Sequence, residues 1–250
     1  MTTRWHSFIG TFNCVRIFLM RDQENILLAS GSQRRRELLS WVTDRFEIIP
    51  SDIDESPLPG ELPQVYCQRI AEQKALAIPS RTETQNSFVL AADTIVYSQN
   101  RIIGKPKDEQ DAFQILTFLQ GQIHHVCTAV TLYRNGKTVS TFCDTSVRMN
   151  PLSQATIRSY IATGDPMGKA GAYAIQNTDF NLVESVEGCY TCVIGLPLCH
   201  VEKLFSFFDY SFEKNVIECC KSHIHYNCVV DQSEMLRKSL FNQKIIERNV

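Results

Sequence analysis

Between residues 26 and 208 strand-like and helix-like stretches alternate, and one strand pair is joined by Asn135-Gly136. This combination constrains the fold more than any other feature. Helices between strands ask for crossovers and parallel pairing, whereas an Asn-Gly hairpin puts an antiparallel pair into the same sheet. The expectation is an α/β chain with a mixed central sheet flanked by helices. Residues 26–29 read as a buried strand, 34–42 as a helix with Leu38, Leu39 and Val42 inward, and 46–50 as a short strand. Pro63 suits the first position of a helix carrying Val65, Ile70, Ala71, Leu76 and Ile78. Residues 88–97 form an apolar strand interrupted by Asp93-Thr94. Asp108 caps a helix that Gly121 ends, and Ser153 caps another that Gly164-Asp165-Pro166 ends. Residues 126–134 and 138–149 make the hairpin. Residues 172–175 and 189–194 read as further strands, and Pro197 starts a last helix.

The chain has 250 residues, room for one large domain or two small ones. Three segments are expected: an extension over 1–25, a folded domain over 26–208 and a second extension over 209–250. The first carries Arg4, Arg16 and Arg21 without an acidic residue before Asp22, the composition of a transit peptide. It reads first as a disordered or non-native extension, nearly all of which a start at Met20 would remove, with targeting as the alternative. Beyond residue 208 periodicity fades, and Cys219, Cys220, His223, His225 and Cys228 lack zinc-finger spacing, so a solvated tail is expected there. Cys189-Tyr-Thr-Cys192 falls in a strand-like stretch rather than at a helix start, the setting of a redox pair. Net charge is −2, which argues against a broad nucleic-acid grip driven by counterion release. No uncharged apolar run is long enough to span a membrane. Ten cysteines without regular spacing fit a reducing compartment, and a cytoplasmic protein is expected, with organelle targeting as the alternative.

Three groups of residues carry chemistry. Ser30-Gly31-Ser32-Gln33-Arg34-Arg35-Arg36 lies between a strand and a helix, where free N–H groups and the helix dipole attract an anion. Arginines in a first helical turn oppose that dipole, and a bound phosphate would offset them; the alternative is a solvated basic turn. Asp93 interrupts an apolar strand, where a carboxylate is costly unless paired or metal-bound. At an exposed strand end it could hold Mg²⁺ or activate water; in the core it would be one half of a salt bridge. Asp52, Asp54 and Glu55 offer further hard oxygens, or form an exposed acidic loop. Lys74, Lys105 and Lys169 suit triphosphate contacts as point charges, or are surface lysines. Gln176, ending a strand, could read a base edge through its amide. A nucleoside triphosphate with a divalent metal satisfies all three groups together.

The order of these motifs resembles the Maf family of nucleoside triphosphate pyrophosphatases. The blocks are Leu28-Ala-Ser-Gly-Ser-Gln-Arg-Arg-Arg-Glu-Leu-Leu39, Ile53-Asp-Glu55, Arg69-Ile-Ala-Glu-Gln-Lys-Ala75 and Ala91-Ala-Asp-Thr-Ile-Val96. Gly104-Lys-Pro-Lys-Asp108, His125-Val-Cys-Thr-Ala-Val130, Gly168-Lys-Ala-Gly-Ala-Tyr-Ala-Ile-Gln176 and Gly188-Cys-Tyr followed by Gly195-Leu-Pro-Leu198 complete the series. The resemblance implies an elongated two-lobed fold with a cleft, related to the inosine triphosphate pyrophosphatases. It implies hydrolysis to the monophosphate and pyrophosphate with Mg²⁺ or Mn²⁺, a nucleotide-pool housecleaning role and a homodimer. By the resemblance, the catalytic residue is Asp93, the metal lies on Asp93 and Glu55, and Ser30, Arg35, Lys74, Lys105 and Lys169 take phosphate. Arg34, Thr94 and Gln176 match the set that sorts dTTP and UTP, with CTP and modified pyrimidine nucleotides as further candidates. The alternatives are a 7-methyl-GTP pyrophosphatase or a non-catalytic nucleotide-binding regulator of cell division. Two departures stand out: Gln33 replaces the usual Pro, and Asn177-Thr-Asp-Phe-Asn181 replaces a glycine-rich stretch.

Overall fold

The computed structural model describes residues 25–80, 82, 84, 87–224 and 246–249. Its strands are β1 (Asn25–Leu28), β2 (Phe46–Ile48), β3 (Ser87–Ser98), β4 (Arg101–Ile103), β5 (Ile123–Arg134), β6 (Lys137–Met149), β7 (Val183–Glu187) and β8 (Ile246–Asn249). They form one eight-stranded sheet in the order β2-β1-β3-β5-β6-β7, with β4 on β3 and β8 on β6. β1 runs parallel to β2 and β3, and the β3-β5-β6-β7 pairs are antiparallel, so the sheet is mixed as expected. Asn135 and Gly136 join β5 to β6 with φ of 46° and 81°, as a primed hairpin turn requires.

The helices are α1 (Gln33–Val42), α2 (Pro63–Ala77), α3 (Glu109–Leu119), α4 (Gln154–Ile161), α5 (Tyr190–Ile194), α6 (Leu198–Ser206) and α7 (Val216–His223). Asp108 and Ser153 cap α3 and α4 through their side-chain oxygens, and Pro63 opens α2. Side chains alternate along β3, and each face meets a different layer. Val89, Ala91, Ile95 and Tyr97 pack under α2. On the other face Phe88, Leu90 and Ala92 join a core built with α1, α6 and α7, while Val96 joins a second core built with α3 and α4. Two lobes therefore share one sheet face, and Thr94 sits at the gap between them.

Several sequence expectations are corrected. Residues 172–175 are not a strand: Ala170–Ala172 form a 3-10 turn with φ of 73° at Gly171 and 58° at Ala172, followed by loop. Residues 189–194 are helix α5, not strand. Both are short and mostly buried, so neither shows the one-sided periodicity that separates helix from strand. Cys189-Tyr-Thr-Cys192 consequently does sit at a helix start, with Cys189 as N-cap and Cys143, Cys189 and Cys192 packed together. A hydrogen bond with Cys143 lowers the Cys189 thiol below its ordinary pKa. The second strand stops at Ile48, and β7 went unread in the sequence. Residues beyond 208 are not a solvated tail throughout. Phe212, Val216, Cys220 and Ile224 are buried in the core beside α1 and α6, and the His223 ring stacks on Trp41 at 4.4 Å. The expectations on residues 1–24, and on His225 and Cys228, lie outside the described residues.

Candidate active site

The sheet opens the site. β1 ends with Leu28 opposite Leu90 and β4 ends with Ile103 opposite Val96, both on the side of β3 away from β5. Among the described residues the β3 edge from Ala91 to Ile95 therefore has no strand beside it, and a cleft of about 690 Å³ occupies that break. Asp93 and Thr94 are consecutive and so face opposite sides of the strand. The cleft reaches both. Asp93 is thus at mid-strand, not at an exposed strand end, and is only 6% exposed.

On the α2 side, Lys74 is a buried cation, not a surface lysine. Its Nζ lies 2.8 Å from Asp93 Oδ1 and 2.8 Å from Glu55 Oε1, so one ammonium bridges both carboxylates. Burial pushes the Glu55 carboxyl up, but the Lys74 hydrogen bond and charge outweigh it, and its pKa lies below the ordinary value. Tyr66 Oη donates to the Glu55 carbonyl at 2.8 Å and fixes the acidic loop. Asp54 instead accepts from Ser56 N at 2.9 Å. The exposed Lys105 stands at the rim and adds positive potential at Glu55.

On the other side, Arg35 is fixed by three donors in one plane. Nε donates to the Gly195 carbonyl (2.9 Å), Nη1 to Ser30 Oγ (3.1 Å) and Nη2 to Thr94 Oγ1 (3.0 Å). Burial lowers the Arg35 pKa, and the nearby Asp93 charge opposes that. Ser32 caps α1 by accepting from Arg35 N, and the first turn holds no acidic residue to balance its arginines. That positive helix start, with Ser30, Ser32, Arg34 and Arg35, lines the cleft wall. Gly195 has φ of 125°, and a Cβ there would lie 3.2 Å from Thr94 Oγ1. Gly195→Ala is expected to destabilise by on the order of 1–3 kcal/mol through backbone strain, and to displace Arg35. A denaturant midpoint equal to wild type would contradict this.

The remaining expected residues divide. Arg34 lines the cleft and also a neighbouring hollow of about 400 Å³ shared with Asp165, Lys169, Gln176 and Asn177. Gln176 lines this hollow and lies in loop, not at a strand end. Lys169 lines both, but its Nζ is 3.0 Å from Asp165 Oδ1 and also donates to the Asp165 carbonyl. Asp165 further accepts from Tyr160 Oη at 2.7 Å and Asn177 Nδ2 at 3.3 Å, tying the end of α4 to the Gln176 loop. Asp165, Thr128 and Gly195 escaped the sequence reading as site residues. The last two were visible in the blocks 125–130 and 195–198, but nothing in sequence pointed them at Thr94. Beyond Thr94 the cleft is walled by Val96, Val126, Tyr173, Ile175 and Val193, an apolar slot beside a polar end.

The chain matches the family model described as Maf-like protein over residues 25–208. It is 45% identical over 188 residues to a dTTP/UTP pyrophosphatase of Shewanella sp. (strain MR-7), covering 73% of this chain and 97% of that protein. It is 47% identical over 180 residues to a dTTP/UTP pyrophosphatase of Geobacter sp. (strain M21), covering 71% and 92%. A dTTP/UTP pyrophosphatase of Clostridium botulinum (strain 657 / Type Ba4) is 42% identical over 180 residues, covering 70% and 92%.

Proposed function

The chain belongs to the Maf family, and from that premise we propose that it hydrolyses pyrimidine nucleoside triphosphates, dTTP and UTP first, to the monophosphate and pyrophosphate. The observation that carries the reading is the Lys74 ammonium shared by Asp93 and Glu55 across the cleft from the Arg35–Ser30 pair. Two carboxylates and several fixed cations within one cleft suit a triphosphate better than any neutral ligand.

A divalent cation fits this donor set. Asp93 and Glu55 already converge on a cation, and both offer hard oxygens. Mg²⁺ is commonly held by one or two carboxylates plus substrate phosphates, and this pair offers two carboxylates. Bound there, Mg²⁺ or Mn²⁺ supplies charge neutralisation at the phosphate oxygens. The chain's own groups do the rest. Arg35, Ser30 and the α1 N-terminus hold phosphate oxygens, and Lys74 and Lys105 balance charge developing on the departing pyrophosphate. The Asp93 carboxylate takes a proton from the water that attacks the α-phosphorus. The apolar slot beyond Thr94 takes the base, with Arg34 and Gln176 at its edge.

Pyrophosphate release with Mg²⁺ across UTP, dTTP, CTP, 7-methyl-GTP and ITP tests this. Turnover should be highest with UTP and dTTP. Preference for 7-methyl-GTP would overturn the base assignment, and no release from any of the five would overturn the reaction.

A further inference from the structure

Thr128 is fully buried in β5, directly across from Thr94, and the reaction above makes no use of it. Its Oγ1 lies 2.8 Å from the Cys192 carbonyl oxygen and 3.0 Å from Thr94 Oγ1. A carbonyl has no proton to give. If Thr128 turned its single proton toward Thr94, its lone pairs would face the carbonyl in a buried setting, at high cost. Thr128 therefore donates to Cys192 and accepts from Thr94. On the other side Arg35, which can only donate, gives Nη2–H to Thr94 Oγ1 at 3.0 Å. Every direction in the chain is now set: Arg35 to Thr94, Thr94 to Thr128, Thr128 to Cys192. The Thr94 proton is committed, and one lone pair remains for a ligand.

We propose that Thr128 is a specificity-determining positioning residue: by holding the Thr94 proton it leaves Thr94 able only to accept, so the cleft favours a base with a ring N–H. The inference rests on the pyrophosphatase reading and on a base in the apolar slot beside Thr94. Uracil and thymine carry N3–H, which Thr94 can accept. Cytosine presents a bare N3, and two lone pairs would then meet where a hydrogen bond is needed. Without the Thr128 hydroxyl, Thr94 is free to rotate its proton toward cytosine.

The test is kcat/KM for pyrophosphate release from UTP and from CTP, with thermal melts to establish folding. Thr128→Val, close to Thr in shape, should narrow the UTP over CTP preference by about tenfold, the scale of one neutral hydrogen bond. Thr128→Ser should keep the wild-type ratio. Should Thr128→Val fail to fold, Thr128→Ala carries the same readout. An unchanged ratio in the folded variant, an equal fall on both nucleotides, or a shifted ratio in Thr128→Ser would overturn the inference and leave the pyrophosphatase reading intact. A wild-type chain that hydrolyses neither nucleotide would overturn both.

Discussion

Asp93→Asn should lower kcat for pyrophosphate release by at least about 10²-fold, the scale of a general base. The backbone there is held independently of the side chain. Asp93 pairs with Ala129 in the sheet, and its carbonyl accepts from Cys67 Sγ at 3.3 Å. Asparagine keeps the shape but cannot take a proton from water, and it removes one of the two negative charges on Lys74. Because an anionic substrate then meets less repulsion, KM should stay level or fall while kcat drops. Steady-state kinetics on UTP separates the two constants. Turnover near wild type would remove Asp93 from the chemistry.

Lys74→Met should lower the unfolding free energy by about 3–5 kcal/mol, the cost of breaking a buried ion pair. Lys74 and Asp93 are 8% and 6% exposed, so water replaces little of the lost partner. The variant also tests the cation site without any turnover. With the ammonium gone, Mg²⁺ no longer competes for the carboxylates, so added Mg²⁺ should raise the melting temperature of the variant more than that of wild type. Equal shifts in both proteins would argue against metal on this pair. The pH dependence follows the same logic. In wild type the Glu55 pKa is depressed, so its contribution is present above the ordinary carboxylate range and lost as pH falls through the depressed pKa. In Lys74→Met the Glu55 carboxyl loses the hydrogen bond and charge of the ammonium that hold its pKa down, so its pKa rises. The variant should therefore gain stability as pH falls into the carboxylate range.

Local signals were strong where one chemical group settles the backbone. Asn135-Gly136 fixed a hairpin, Asp108 and Ser153 fixed helix starts, and Pro63 fixed another. They failed at 172–175 and 189–194, short segments that are mostly buried and show no one-sided period. They failed again beyond 208, where α7 buries only Val216 and Cys220 of its eight residues, too few to show as a stripe.

The mixed α/β class, the family and the residue types for a triphosphate follow from the sequence alone, because glycines, caps and charges act over a few neighbouring positions. The sequence also pointed to Asp93, Glu55 and Lys74 as separate candidates, each with a structural reading beside the functional one. The tertiary structure brings these three residues together. The break in strand pairing beside Ala91 to Ile95 opens the cleft, and residues far apart in the chain meet across it. Lys74 then bridges two carboxylates, and Thr128 and Gly195 orient Thr94 and Arg35 from other strands and turns. Which groups share a proton or a charge depends on distances of about 3 Å across those separations, the range at which hydrogen bonds act, and no local pattern encodes them.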